Sequence, residues 1–132
     1  MPIIKKVIDN LIKKNISISV AESCTGGLIA NTITKYSGVS KIFSYGIISY
    51  SNEAKSKYLS VSKRNLSKFG AVSNEVAEGM INGLYKNEKT KICIFPFFIC
   101  VWKVITYVSH RERSKNTITN CMQYNVRIRM TN

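Results

Sequence analysis

Ile16-Ser17-Ile18-Ser19-Val20-Ala21-Glu22-Ser23-Cys24-Thr25-Gly26-Gly27-Leu28-Ile29-Ala30 is the stretch on which the fold turns. Residues 16–21 are short, rich in β-branched side chains and preceded by a helical pattern, so they read as a strand. Residues 22–27 form a tight polar loop. Leu28, Ile29 and Ala30 lie in a helix that begins near Thr25, runs to about Tyr36 and ends before Gly38. Strand, glycine-bearing loop and helix in that order are the unit of α/β architecture. A serine at such a junction stands at the carboxyl edge of the sheet, where α/β folds gather their ligands.

The pattern extends in both directions. Ile4, Val7, Ile8, Leu11 and Ile12 recur at helical spacing with Lys5, Lys6, Lys13 and Lys14 beside them, an amphipathic helix with Asn15 as its stop. Residues 42–51 alternate, with Phe43, Tyr45, Ile47 and Ile48, and give a second strand in which Gly46 eases a bend or a close approach. Ser51 and Asn52 cap a short helix through Glu53, Ala54 and Lys55. A further short helix covers residues 63–69 and ends at Gly70. Ser73 caps the clearest helix, which has Glu75 in its first turn and Val76, Ala77, Met80, Ile81, Leu84 and Tyr85 on one face. Residues 90–94 read as a third strand. Helices alternating with strands predict an α/β layered fold.

The chain has 132 residues, 45% of them hydrophobic, which suffices for one domain with its own core. Lys and Arg number 20 against 7 Asp and Glu. The lysines are scattered, with no long basic run and no nucleic-acid-binding motif. The charge therefore speaks first to solubility and nonspecific binding and nucleic acid is not the expected partner, with a small basic nucleic-acid-binding protein as the alternative reading. The four cysteines, Cys24, Cys93, Cys100 and Cys121, lack any C-x-x-C pairing and the single His110 sits near none of them in the sequence, so no metal site is expected. Residues 92–108 are the most apolar stretch. They contain Pro96 and Lys103 and fall short of the roughly 20 apolar residues a membrane helix needs, so no membrane partner is expected. Without a secretory leader pattern, the reducing cytoplasm is the expected setting.

Two segments offer chemistry. In the loop 22–27 a helix start supplies backbone N–H groups and a positive partial charge, and Gly26 and Gly27 allow a close approach to a ligand. The loop could hold a nucleophile, an oxyanion or a phosphate, or be an ordinary capped turn. Tyr50-Ser51-Asn52-Glu53-Ala54-Lys55 follows the second strand. A serine nucleophile needs a proton acceptor, and a desolvated lysine can serve, with a tyrosine to relay or orient. The alternative makes Tyr50 a strand aromatic and Lys55 a solvated helix residue.

Ala21-Glu22-Ser23-Cys24-Thr25-Gly26-Gly27-Leu28 resembles the opening signature of the CinA C-terminal domain family of nicotinamide-nucleotide amidohydrolases. Tyr50-Ser51-Asn52-Glu53-Ala54-Lys55 resembles its second signature, and Gly70-Ala71-Val72-Ser73 with Glu75-Val76-Ala77 its third. The resemblance covers about residues 3–94. It implies a three-layer α/β/α sandwich that self-associates, incomplete here at its C-terminal end. It implies hydrolytic deamidation of nicotinamide mononucleotide, a small-molecule nucleotide, to nicotinate mononucleotide and ammonia, with no cofactor. Matched residue by residue, Ser23 would be the nucleophile. Tyr50 and Lys55 would activate it and carry the proton. Cys24, Thr25, Gly26 and Gly27 would bind substrate through backbone donors.

Residues 1–94 thus form the family-like part and residues 95–132 a tail of different character. All seven glycines lie at or before Gly83, and only one of the five arginines, Arg64, precedes Ile94. The family's Thr-Gly-x-Ala-Gly-Pro turn and its later Lys-Pro-x-Gly-Thr-Val segment have no counterpart after Ile94. A reading-frame change near Ile94 accounts for the break. With part of the site and the later strands missing, little or no amidase activity is expected. Lys55 is then expected to be incompletely desolvated, and residues 95–108 to patch the sheet as an irregular strand. Residues 109–132 are expected to be cut early by protease.

Overall fold

The computed structural model describes the backbone of residues 2–99 and 101–108 and the side chains of residues 2–96. The expectation for residues 109–132 lies outside the described residues.

Helix α1, Ile3–Lys13, leads into β1, Ile18–Glu22, and the Ser23–Gly27 loop opens α2, Leu28–Thr34. A 3-10 turn at Val39–Lys41 precedes β2, Phe43–Ile48. Then come α3, Asn52–Leu59, α4, Lys63–Phe69, and α5, Asn74–Asn87. Strands β3, Ile92–Ile99, and β4, Val101–Val108, complete the described chain. The sheet order is β2-β1-β3-β4, with β1 parallel to both its neighbours and β4 antiparallel to β3.

Alternation along the central strand builds the three layers. Ile18 and Val20 pack with Ile8, Ile33, Val39 and Ile42 on the α1–α2 side. Ala21 packs with Leu59, Leu66, Val76, Met80, Ile81 and Leu84 on the α3–α5 side. One strand thus feeds two cores, the property of a sheet covered on both faces. Gly83 fixes the approach of α5 to α3, because a Cβ there would overlap the backbone of Leu59. Side-chain caps from Ser51, Ser62 and Ser73 start α3, α4 and α5.

Three expectations are corrected. The third strand does not stop at Ile94 but runs to Ile99, and its partner β4 covers the edge away from β1. The tail's first part is therefore a regular antiparallel pair, not an irregular patch. Pro96 is tolerated because the β1 ladder ends at Ile94, so its missing N–H interrupts no bond to the central strand. Helix α2 starts at Leu28, not near Thr25, because Gly26 and Gly27 both adopt left-handed φ values of 58° and 99°.

Candidate active site

The carboxyl ends of β1 and β2 place the two signature segments side by side. Glu22 pairs with Ile48, and the amide of Ser49 donates to the Glu22 carbonyl at 2.8 Å. Ser23 and Ser49 therefore emerge next to each other from adjacent parallel strands.

Glu22 is buried, and its carboxylate organises the loop. Oε2 accepts from Thr25 Oγ1 at 2.6 Å, from the Gly27 amide at 3.0 Å and from the Ile29 amide at 3.1 Å. Oε1 accepts from the Ala30 amide at 2.8 Å. The N-cap residue Gly27 has no side chain to offer, so this acid supplies the cap from the strand behind it, where the helix dipole favours negative charge. The consequence corrects part of the expected site. The Gly27 amide is spent on Glu22 and the Gly26 amide on the Ser23 carbonyl at 3.0 Å, so neither is open to a ligand. The amides of Cys24 and Thr25 make no hydrogen bond among the described residues. They are two backbone donors left without a partner next to Ser23.

Ser23 is half-buried and Cys24 exposed. The Ser23 hydroxyl makes no hydrogen bond to Tyr50 or Lys55 among the described residues, where Lys55 Nζ is bonded to the Tyr50 carbonyl. Catalytic hydrogen bonds are often long before substrate binds.

Lys55 is 2% exposed, on the side of α3 that also carries buried Leu59. Its Nζ donates to the Tyr50 carbonyl at 2.7 Å. Burial lowers its pKa from the ordinary lysine value, and the nearby Cys24 thiol acts in the opposite sense by favouring the ammonium. That influence of Cys24 places Lys55 near the Ser23–Gly27 loop.

Tyr50 enters through its backbone. Its side chain is 74% exposed and its phenol has no partner among the described residues, whereas its carbonyl orients Lys55. Sequence reasoning missed the Glu22 clasp and the buried Ser49. An acid closing a strand just before a double glycine was the available signal for the first. Nothing in the sequence distinguished Ser49 from other strand serines. Among the described residues no three His, Cys, Asp or Glu side chains gather at a common point.

Comparison with known proteins places the family and the fold. The family model described as the CinA C-terminal domain matches residues 1–95. A CinA-like protein of Kosmotoga olearia is 53% identical over 90 residues, which are 67% of this chain and 22% of that protein. The chain thus spans about a fifth of the length of the curated relatives it matches. The crystal structure of a competence/damage inducible protein from Agrobacterium tumefaciens superposes with a TM-score of 0.73 at 28% identity, covering 80% of this chain and 71% of that one. A CinA superfamily protein from Escherichia coli superposes with a TM-score of 0.66 at 30% identity, covering 70% of this chain and 54% of that one.

Proposed function

This chain belongs to the CinA C-terminal domain family, and from that membership we propose that its site hydrolyses the carboxamide of nicotinamide mononucleotide through a Ser23 ester. The observation that carries the reading is Lys55: a lysine 2% exposed, with a lowered pKa, held beside the loop that presents a half-buried serine. A lysine in that state spends more of its time as the neutral amine, which is the form that accepts a proton from a nucleophile.

In the proposed reaction Ser23 Oγ bonds to the amide carbonyl carbon as its proton passes to Lys55. The Cys24 and Thr25 amides receive the oxyanion. The same proton goes on to the leaving nitrogen, ammonia departs, and water then cleaves the ester. Lys55 takes the water's proton and returns it to Ser23. The Tyr50 carbonyl keeps the lysine in place throughout.

The absent glycine-rich turn after Ile94 would ordinarily supply backbone contacts to substrate, so turnover is expected to be slow. The test is chromatographic conversion of nicotinamide mononucleotide to nicotinate mononucleotide by the purified full chain. Product that forms with wild type and not with Ser23→Ala supports the reading. Equal conversion by both reduces the serine to a turn residue, and no conversion by a folded chain favours a non-catalytic remnant.

A further inference from the structure

We infer that Ser49 is a positioning residue that relays the proton between Ser23 and Lys55, an inference that rests on the amide-hydrolysis reading above. Ser49 is completely buried, and its Oγ is the only buried side-chain polar atom without a partner among the described residues. Folded proteins pair nearly all such groups, so the exception requires a reason.

Its position supplies one. Ala21 and Ile47 are ladder partners, and both pack into the core on the α3–α5 side. Side chains on a strand return to the same face every second residue. Two residues on, Ser23 and Ser49 therefore emerge together on that face. Lys55 reaches the same face from above, since it lies one helical turn before Leu59, which is part of that core. Its Nζ is 2.7 Å from the carbonyl oxygen of Tyr50, the residue directly after Ser49. Ser23 and Lys55 share no hydrogen bond, and the Ser49 hydroxyl is bonded to neither of them, so the relay's bonds are ones that form with substrate in the site.

A hydroxyl both donates and accepts, so it can pass a proton without changing its own charge. As Ser23 Oγ bonds to the carbonyl carbon, its proton moves to Ser49 Oγ and the Ser49 proton moves to the neutral amine of Lys55. When the carbon–nitrogen bond breaks, the Lys55 ammonium gives a proton to Ser49, and Ser49 gives its own to the departing nitrogen. Ammonia leaves, and Ser49 and Lys55 are restored to their starting forms. Ester hydrolysis by water repeats the relay, returning the last proton to Ser23.

The test measures the rate at which a fluorophosphonate probe labels Ser23 in the full chain, mapped by peptide mass spectrometry, beside thermal unfolding of each variant. This readout depends on the nucleophile and its base and not on the nucleotide pocket. Ser49→Ala is expected to lower the labelling rate by about a hundredfold, in the range of a general acid–base contribution, while melting no lower than wild type. Ser49→Thr keeps the hydroxyl and is expected to restore most of the rate. Labelling of Ser23 at the wild-type rate in Ser49→Ala overturns the relay and leaves the nucleophile assignment standing. A Ser49→Thr variant as slow as Ser49→Ala, at equal stability, also overturns it. Wild-type chain that is folded yet unlabelled at Ser23 overturns the nucleophile assignment itself, and the relay with it.

Discussion

Replacing Glu22 by alanine should unravel the nucleophile loop and the start of α2. The carboxylate is buried and accepts four hydrogen bonds of 2.6–3.1 Å, three from backbone amides and one from Thr25. Bonds to a charged group contribute about 1.5–3 kcal/mol each when a partner is removed, but they are not additive. Taking the carboxylate out of water costs several kcal/mol, which offsets part of the sum. Loss of an ordinary cap costs about 1 kcal/mol, and breaking a buried ion pair about 3–5 kcal/mol. Glu22 lies between these cases, so Glu22→Ala should lose about 3 kcal/mol. For a urea m-value of about 2 kcal/mol/M, the unfolding midpoint should fall by roughly 1.5 M. Glu22→Gln keeps one acceptor oxygen but turns an NH₂ toward amide donors, and should lose nearly as much. Urea titration followed by circular dichroism gives the midpoints. Native-state hydrogen exchange should show the Gly27, Ile29 and Ala30 amides losing protection first. A Glu22→Ala midpoint within about 0.3 M of wild type, with those amides still protected, would refute the clasp.

Gly83→Ala should destabilise by more than about 2 kcal/mol, although alanine has the better helix propensity by about 1 kcal/mol, because the added Cβ overlaps the Leu59 backbone; a thermal melt decides the sign. The lowered pKa of Lys55 means that the folded chain binds fewer protons than the unfolded one between the depressed value and 10.5. Wild-type stability should therefore gain on that of Lys55→Met as pH rises through this window, and paired urea midpoints at neutral and alkaline pH measure it. Over the same window Ser23 labelling by a fluorophosphonate should accelerate with pH as the neutral amine accumulates, then level off above the lysine's folded pKa; a flat profile would separate Lys55 from the nucleophile. The coding DNA just downstream of Ile94 should carry a Thr-Gly-x-Ala-Gly-Pro segment in another frame, and its absence from every frame would make the tail a true divergence.

The parts of the fold legible in the sequence were those set by local chemistry. The apolar spacing of α1 and α5, the serine caps of α3 and α5 and the glycine-bearing junction after β1 need no tertiary information. Where the chain's global arrangement decides, sequence reasoning fell short. The length of β3 depends on a partner strand, and Pro96 reads as a breaker unless its missing N–H is known to fall beyond the β1 ladder. The start of α2 depends on which residue caps it, and the cap proved to be an acid on the preceding strand. Lys55 was singled out from its motif, but its burial on the side of α3 that carries Leu59 is a tertiary outcome that pattern alone could not show. Tyr50 was expected to act through its phenol, yet a residue's type says nothing of what its carbonyl will hold.

The central claim is that Ser23 forms an ester with the substrate's acyl group, and hydroxylamine competition tests it most directly. Purified full chain is incubated with nicotinamide mononucleotide with and without hydroxylamine, and the products are separated. The account predicts slow ammonia release, diversion of nicotinate mononucleotide into the corresponding hydroxamate, and neither product from Ser23→Ala. Nicotinate mononucleotide formed without any hydroxamate, or hydroxamate formed equally by Ser23→Ala, would contradict it.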